Sequence, residues 1–314
     1  MQKILVGQAQ KAMFSLLCKC RKFNLSIKVC FELFDILIVP ILTYGSEIWS
    51  FEEDQLLEKL HLKFCKYVTG LKKSTPNVMV YGELGRFPLC IYLKLKALSF
   101  WFKLVGSKAT KLNHRVYECL IHLHNAGIYS SKWLLYIEHI LNLCGLSYIW
   151  LLQGEDISLE WLKHVVKNIL EAQFVSQWHS IMDDSSKCDY YRNFKISFEY
   201  ERYLDLVPSN VYKFILKFRT CNHKLPIEIG RYANIERYLR ICRYCTTNTV
   251  GDEYHYLFEC THPDIVIARS LYLPHYYQAN ICVNKYFHLM QNLNTEHMID
   301  NLAKFVRIIF DIVQ

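Results

Sequence analysis

The chain has 314 residues, 52% hydrophobic and 15% aromatic, with only 11 glycines and 7 prolines. That is apolar material for two or three sub-domains of long helices, and too few turn formers for a β-sandwich. The net charge of +8 is unevenly spread: residues 1–30 carry six basic side chains and no acid, and residues 211–245 carry eight against two acids. Basic faces of this kind are candidates for phosphate backbones, and solvated helix faces are the plain alternative.

Thirteen cysteines is an odd number, and Met1-Gln-Lys-Ile-Leu-Val-Gly-Gln8 does not read as a secretory signal. Reduced thiols in nucleus or cytoplasm are the expectation, not a disulfide framework. The most apolar stretch, Trp133 to Leu152, contains Glu138 and His139 and is interrupted by Gly145. A bilayer span needs roughly 20 apolar residues, so no membrane segment is expected.

In chain order, Ala9, Ala12, Met13, Leu16 and Leu17 follow helical spacing and predict a helix from about Val6 to Cys20. Ser26 can cap the next one, which reaches Val39 before Pro40 bends or ends it. Leu56, Leu57, Leu60, Phe64, Tyr67 and Val68 predict an amphipathic helix whose other face carries Lys59, Lys63 and Lys66, ending at Gly70. That row is what a helix lying along a phosphate strand would present. Ser74-Thr-Pro-Asn77 reads as a cap and turn, and Leu89 to Val105 as a buried helix.

The small polar stretch Gly106 to Thr110 marks a soft boundary. Two apolar helices broken at Asn125-Ala-Gly127 are expected over 112–152, and Asp156 to Glu160 starts a helix from Leu159 to Trp178. Asp183 to Asp189 reads as a loop. Tyr200–Leu206, Val211–Thr220 and Ile235–Leu239 read as short helices framing a basic strip. The fold class is therefore mainly α, a multi-helix array with a small cysteine-histidine module near the C-terminus.

That module is Arg240-Ile-Cys-Arg-Tyr-Cys245 followed by His255 and Cys260. Two residues separate Cys242 from Cys245, nine separate Cys245 from His255, and four separate His255 from Cys260. A CxxC turn offers two sulfurs to one cation, and a second pair arriving from a following helix completes a tetrahedron suited to zinc. Gly251 sits where the chain must reverse, and Asp252 and Glu253 can begin a short helix over His255 to Phe258. Residues five apart on a helix diverge, so Cys260 must lie just past its end. His262 is a spare candidate for the fourth ligand, and buried free thiols are the plain alternative. Three thiolates and an imidazole leave no position for an activated water, so the zinc would be structural.

Two groups of residues go beyond a generic zinc module. Leu33-Phe-Asp35 with Val39-Pro-Ile-Leu-Thr-Tyr-Gly-Ser-Glu-Ile-Trp49, Ser74-Thr-Pro-Asn77 and Tyr81-Gly-Glu-Leu-Gly-Arg86 resemble the segment after the palm in LINE-like, non-LTR retrotransposon reverse transcriptases. Phe218-Arg-Thr-Cys-Asn-His-Lys-Leu-Pro226, Gly230-Arg231 and the Cys/His cluster resemble the C-terminal cysteine-histidine region of the same family. The resemblance covers roughly residues 8–105 and 210–270, in the family's order. It implies a helical thumb-like region at 1–105, a helical connector at 106–205, a basic zinc module at 206–270 and C-terminal helices at 271–314.

The family's palm carries metal-binding aspartates, including a Tyr/Phe-x-Asp-Asp turn. The only Asp-Asp in this sequence is Asp183-Asp184, preceded by Ile181-Met182, and no endonuclease domain is expected in the few residues before Gln8. No G-x-x-x-x-G-K loop, G-x-S-x-G elbow or H-E-x-x-H pair occurs. The expectation is a chain with no catalytic residues of its own, binding RNA or DNA, with a separate polymerase core as possible partner. Lys59, Lys63 and Lys66 would meet phosphates, and Arg237, Arg240, Arg243 and Tyr244 would meet nucleic acid beside the zinc. The alternative is a helical interaction scaffold stabilised by a structural zinc.

Overall fold

The computed structural model describes residues 2–51 and 55–313. Helices fill it because the apolar residues keep a period near 3.6, and among the described residues there is no β-strand, only the isolated bridges Leu84–Tyr200 and Ile241–Val250. No helix of the described residues is long and apolar enough to cross a membrane.

The expected helices appear at Gln2–Lys22, Ile27–Leu37, Gln55–Thr69 and Leu89–Val105. The Ser26 hydroxyl accepts from the Val29 N–H at 3.3 Å, an N-cap, and Gly70 ends its helix at φ +73°. Pro40 sits in the first turn of a new short helix, Val39–Leu42, where its missing N–H costs nothing. One expectation fails. The segment Asp183 to Asp189 is not a free loop, because the helix Leu159–Asp184 runs on into it and a 3-10 turn follows at Ser186–Cys188. Met182 and Cys188 are buried there, and that packing overrides the polar sequence between them.

The chain divides into two compact units that interleave along the sequence, Met1–Leu16, Leu33–His61 and Phe87–Trp178 in one, Leu17–Glu32, Leu62–Arg86 and His179–Gln314 in the other. They do not follow the four consecutive segments expected at 1–105, 106–205, 206–270 and 271–314. In the first unit the Leu89–Val105, Leu112–Asn125 and Lys132–Leu143 helices close over Trp101, Leu134, Ile137 and Leu141. Trp101 is fully buried, and its indole N–H donates to the Tyr117 hydroxyl at 2.9 Å.

The second unit is organised by Glu296–Val313, whose buried Ile299, Leu302, Ala303, Val306, Ile309, Phe310 and Val313 recur at i, i+3, i+4, i+7 spacing. This stripe takes Ser209–Arg219 on one side and Pro263–Tyr272 on another. A buried ionic network stands in the same unit. The Arg219 guanidinium donates from Nε to Glu83 Oε1 at 3.0 Å and pairs with Glu201 Oε1 at 3.2 Å. Lys195 pairs with Glu201 at 2.5 Å, and the Tyr203 hydroxyl donates to Glu83 at 2.6 Å.

Burial pushes the Glu83 carboxyl up, against the pull of Arg219. For Glu201 burial is again the largest influence and raises, but the Arg219 and Lys195 charges together win and hold its carboxyl below its ordinary value. Two acids and two bases balance, which is how charges survive in a low-dielectric interior. Gly85 makes the network possible: at φ +55° it lets the backbone pass Tyr200 so closely that a Cβ would lie 2.8 Å from the Glu199 carbonyl carbon. The Glu201 N–H then reaches the Glu83 carbonyl at 3.0 Å.

Candidate metal centre

The ligand loop is built by backbone pairing across its base. The Cys242 N–H donates to the Thr249 carbonyl at 2.9 Å and the Gly251 N–H to the Arg240 carbonyl at 2.8 Å, bracketing the Ile241–Val250 bridge. Gly251 is required at the reversal, since a Cβ there would lie 2.8 Å from the Pro226 ring and 3.2 Å from the Cys242 Cα. The Asp252 carboxylate then caps the next turn by accepting the His255 N–H at 2.9 Å. The following turn, His255–Glu259, is a π-helix, and Cys260 leaves it in an extended conformation with its N–H on the His255 carbonyl at 2.8 Å. Cys260 thus lies just past the helix end, as the spacing requires.

The result is a cluster of Cys242, Cys245, His255 and Cys260 whose ligand atoms all lie within 4.8 Å of one another. Cys245 Sγ is 3.4 Å from His255 Nε2. Tetrahedral bonds of about 2.3 Å to sulfur and about 2.05 Å to nitrogen would place those two atoms about 3.6 Å apart, so a metal fits with little adjustment. His262 is not in the cluster: its ring packs edge-on against Tyr244 at 6.4 Å, and its buried Nδ1 has no hydrogen-bond partner among the described residues. The choice of fourth ligand left open by the sequence falls to the Cys3His set.

Groups around the cluster prepare it for a cation. His255 Nδ1 lies 2.8 Å from Thr249 Oγ1 and 3.5 Å from the Glu259 carboxylate, an arrangement that keeps the ring proton on Nδ1 and turns the Nε2 lone pair toward the sulfurs. The Cys260 thiol, together with His255 and the Tyr256 hydroxyl 3.4 Å away, holds the Cys242 sulfur as thiolate, down to about 3. Cys242, His255 and Cys260 are buried and Cys245 half-buried. Arg269 fastens the far side, donating to the Leu257 carbonyl at 2.7 Å and the Cys260 carbonyl at 2.9 Å. A set closed by four protein ligands stabilises structure and has no vacancy for a reacting water.

The residues expected to meet nucleic acid divide into two groups. Lys59, Arg243 and Tyr244 are exposed, Tyr244 to 38%, and Lys63 is half-buried. Lys66 is instead held by its own chain: its ammonium donates to the Lys73 and Thr75 carbonyls at 2.9 and 2.7 Å and to Asn77 Oδ1 at 2.8 Å. Arg237 pairs with Asp189 and lies 3.9 Å from Asp252, and Arg240 donates to the Ile235 and Ile227 carbonyls with its stem against Gly230. These three cations therefore organise loops. Spacing shows which face a side chain is on and does not show which loop folds back to meet it.

A second group, Cys221, His223 and Glu253, also brings ligand atoms within 4.8 Å of one another, and no local spacing announces it because Glu253 lies 30 residues from His223. Here His223 Nε2 donates to Glu253 Oε1 at 2.8 Å and the Leu225 N–H approaches Nδ1 at 3.4 Å, so both ring nitrogens already have partners within the chain. The chain matches no protein-family model, no curated protein and no solved structure.

Proposed function

We propose that this chain is a nucleic-acid-binding C-terminal portion of a LINE-like reverse transcriptase, comprising its thumb-like and cysteine-histidine regions, with one structural zinc at Cys242, Cys245, His255 and Cys260. The observation that supports the reading is the Glu83–Arg219 pair. The two stretches that carry the resemblance, Tyr81 to Arg86 and Phe218 to Pro226, meet through an ion pair between residues 136 apart in sequence. Residues that resemble the family therefore belong to one buried core, as they would if the likeness came from common structure. Zinc is the reading for the metal because thiolates and imidazole at tetrahedral spacing suit a borderline-soft cation. Its role is to stiffen the loop that carries Arg243 and Tyr244. No chemical step is assigned to the chain, and a separate polymerase core would supply one.

The test is fluorescence anisotropy with a labelled single-stranded RNA across about 50 to 200 mM salt. Several phosphate contacts give a slope of log K against log salt of about −0.7 for each contact. Binding weaker than micromolar at the low-salt end, or a flat salt dependence, would defeat the proposal and favour a helical scaffold held by zinc. One observation favours that second reading: Lys66, Arg237 and Arg240 are committed to internal partners.

A further inference from the structure

Basic side chains without ion-pair partners among the described residues converge elsewhere in the second unit. A cavity of about 220 Å³ lies where Gly70, Lys217 and Asn222 come together, with Lys72 and Lys224 also in its wall and Phe310 and Val313 giving it an apolar side. No acid lines it, and none of Lys72, Lys217 and Lys224 has an ion-pair partner among the described residues. Helices end nearby at Thr69, Arg219 and Val313, and each C-terminus contributes about half a negative charge. Three full positive charges exceed that even with the Glu253 carboxylate counted, which the lining His223 holds at 2.8 Å behind the wall, so the cavity's charge is net positive.

Asn222 adds the second observation. It is only 6% exposed, and neither Oδ1 nor Nδ2 has a hydrogen-bond partner among the described residues. A buried amide left unpaired is costly and rare, and it marks a place where a polar group from outside completes the structure.

A second cavity of about 340 Å³ adjoins the first, sharing Lys224 and Val313 with it. Its floor is apolar: Ile229 and Leu239 are half exposed, and Ile241 and Tyr244 stand beside them with Arg243 at the edge. A cationic pocket with an unpaired amide, next to an apolar shelf with a tyrosine, matches the alternation of phosphate and base along an unpaired strand. A duplex hides its base faces in the stack and would leave the shelf unused.

We propose that the Lys72–Lys217–Lys224–Asn222 cavity receives a backbone phosphate of single-stranded nucleic acid, with the adjoining base on the Tyr244–Leu239–Ile241 shelf. The inference rests on the nucleic-acid-binding reading above and specifies where the strand lies.

Its test is the same anisotropy titration with the full chain, comparing wild type, the Lys217→Gln/Lys224→Gln pair, Tyr244→Ala, and Lys108→Gln/Lys111→Gln as a charge-matched control, each checked for fold by circular dichroism. Loss of this one phosphate contact is expected to reduce the salt slope by about 0.7, with the control unchanged. Tyr244→Ala is expected to weaken a normal strand at least about fivefold and to leave an abasic strand unaffected. Equal slopes in wild type and the Lys217/Lys224 pair would overturn the inference while leaving the nucleic-acid reading standing. If wild type binds no strand at all, both fall as stated. Phosphorus NMR with pyrophosphate then separates the sources: a signal shifted by wild type and not by the pair identifies a pocket for free phosphate in place of a strand.

Discussion

Replacing Glu83 by alanine should be among the most damaging single changes available in the second unit. The carboxylate is fully buried and accepts from Arg219 at 3.0 Å and from the Tyr203 hydroxyl at 2.6 Å. Its removal leaves Arg219 and Lys195 sharing the single acid Glu201, a net buried positive charge, and strands the tyrosine proton. Breaking a buried pair in this way costs about 3–5 kcal/mol, a large part of a typical total of about 5–15 kcal/mol. The double change Glu83→Leu with Arg219→Met removes one charge of each sign and leaves Glu201 with Lys195, so it should cost less than the sum of the two single changes by about 1–3 kcal/mol.

Tryptophan fluorescence is the wrong probe, because all six tryptophans lie between Trp49 and Trp178, within the first unit. Hydrogen exchange read by mass spectrometry on peptides covering 79–84 and 209–219 reports on the network itself. Protection there should fall by roughly two to three and a half orders of magnitude in Glu83→Ala. A fall below about tenfold, or a double variant as damaged as the sum of the singles, would refute the claim that charge balance holds this core together.

Elemental analysis should find one zinc per chain, lost in Cys242→Ala, and removal of the metal by a chelator should release protection across residues 240–260 while sparing 89–105. Thr249→Val, which withdraws the oxygen 2.8 Å from His255 Nδ1, should weaken zinc affinity about 10- to 100-fold without abolishing it, as competition with a chromophoric chelator would measure. Gly85→Ala must place a Cβ against the Tyr200 N–H in a left-handed backbone, and its urea midpoint should drop by the equivalent of more than about 1 kcal/mol with metal content unchanged. The Glu201 carboxyl sits below its ordinary 4.5, so it adds stability above that pH and loses it as pH falls through the folded value. Urea midpoints taken downward from pH 5 should therefore fall less steeply in Glu201→Gln than in wild type.

The parts of this fold that were legible in the sequence are those set by neighbours along the chain. Leu89–Val105 carries a continuous apolar run and ends where expected, Ser26 caps its helix, and the ligand quartet can be picked out because a CxxC turn and the His255 to Cys260 spacing are local geometry. Lys66 and Arg240 show where this stops. Their helical and loop positions were readable, yet their partners, the Thr75 and Ile227 carbonyls, depend on how a following turn and a preceding helix fold back. The Asp183 to Asp189 segment misled for the opposite reason, since burial of Met182 and Cys188 outweighs a run of polar residues. Nothing local to Tyr81-Gly-Glu83 announces a guanidinium more than a hundred residues away, and Asn222 is conspicuous only once its amide is seen to lack a partner.

The Glu83–Arg219 pair also sets a clock on biogenesis. Glu83 is synthesised 136 residues before its cationic partner, an interval on the order of ten seconds at ordinary elongation rates. Through that interval the segments 17–32 and 62–86 carry their apolar side chains, Phe31, Phe64 and Met79 among them, without the later residues that complete their unit. The nascent chain is thus exposed to aggregation and to chaperone capture for the whole of the time it takes to make residues 87–219, and slowing translation there should lower its soluble yield.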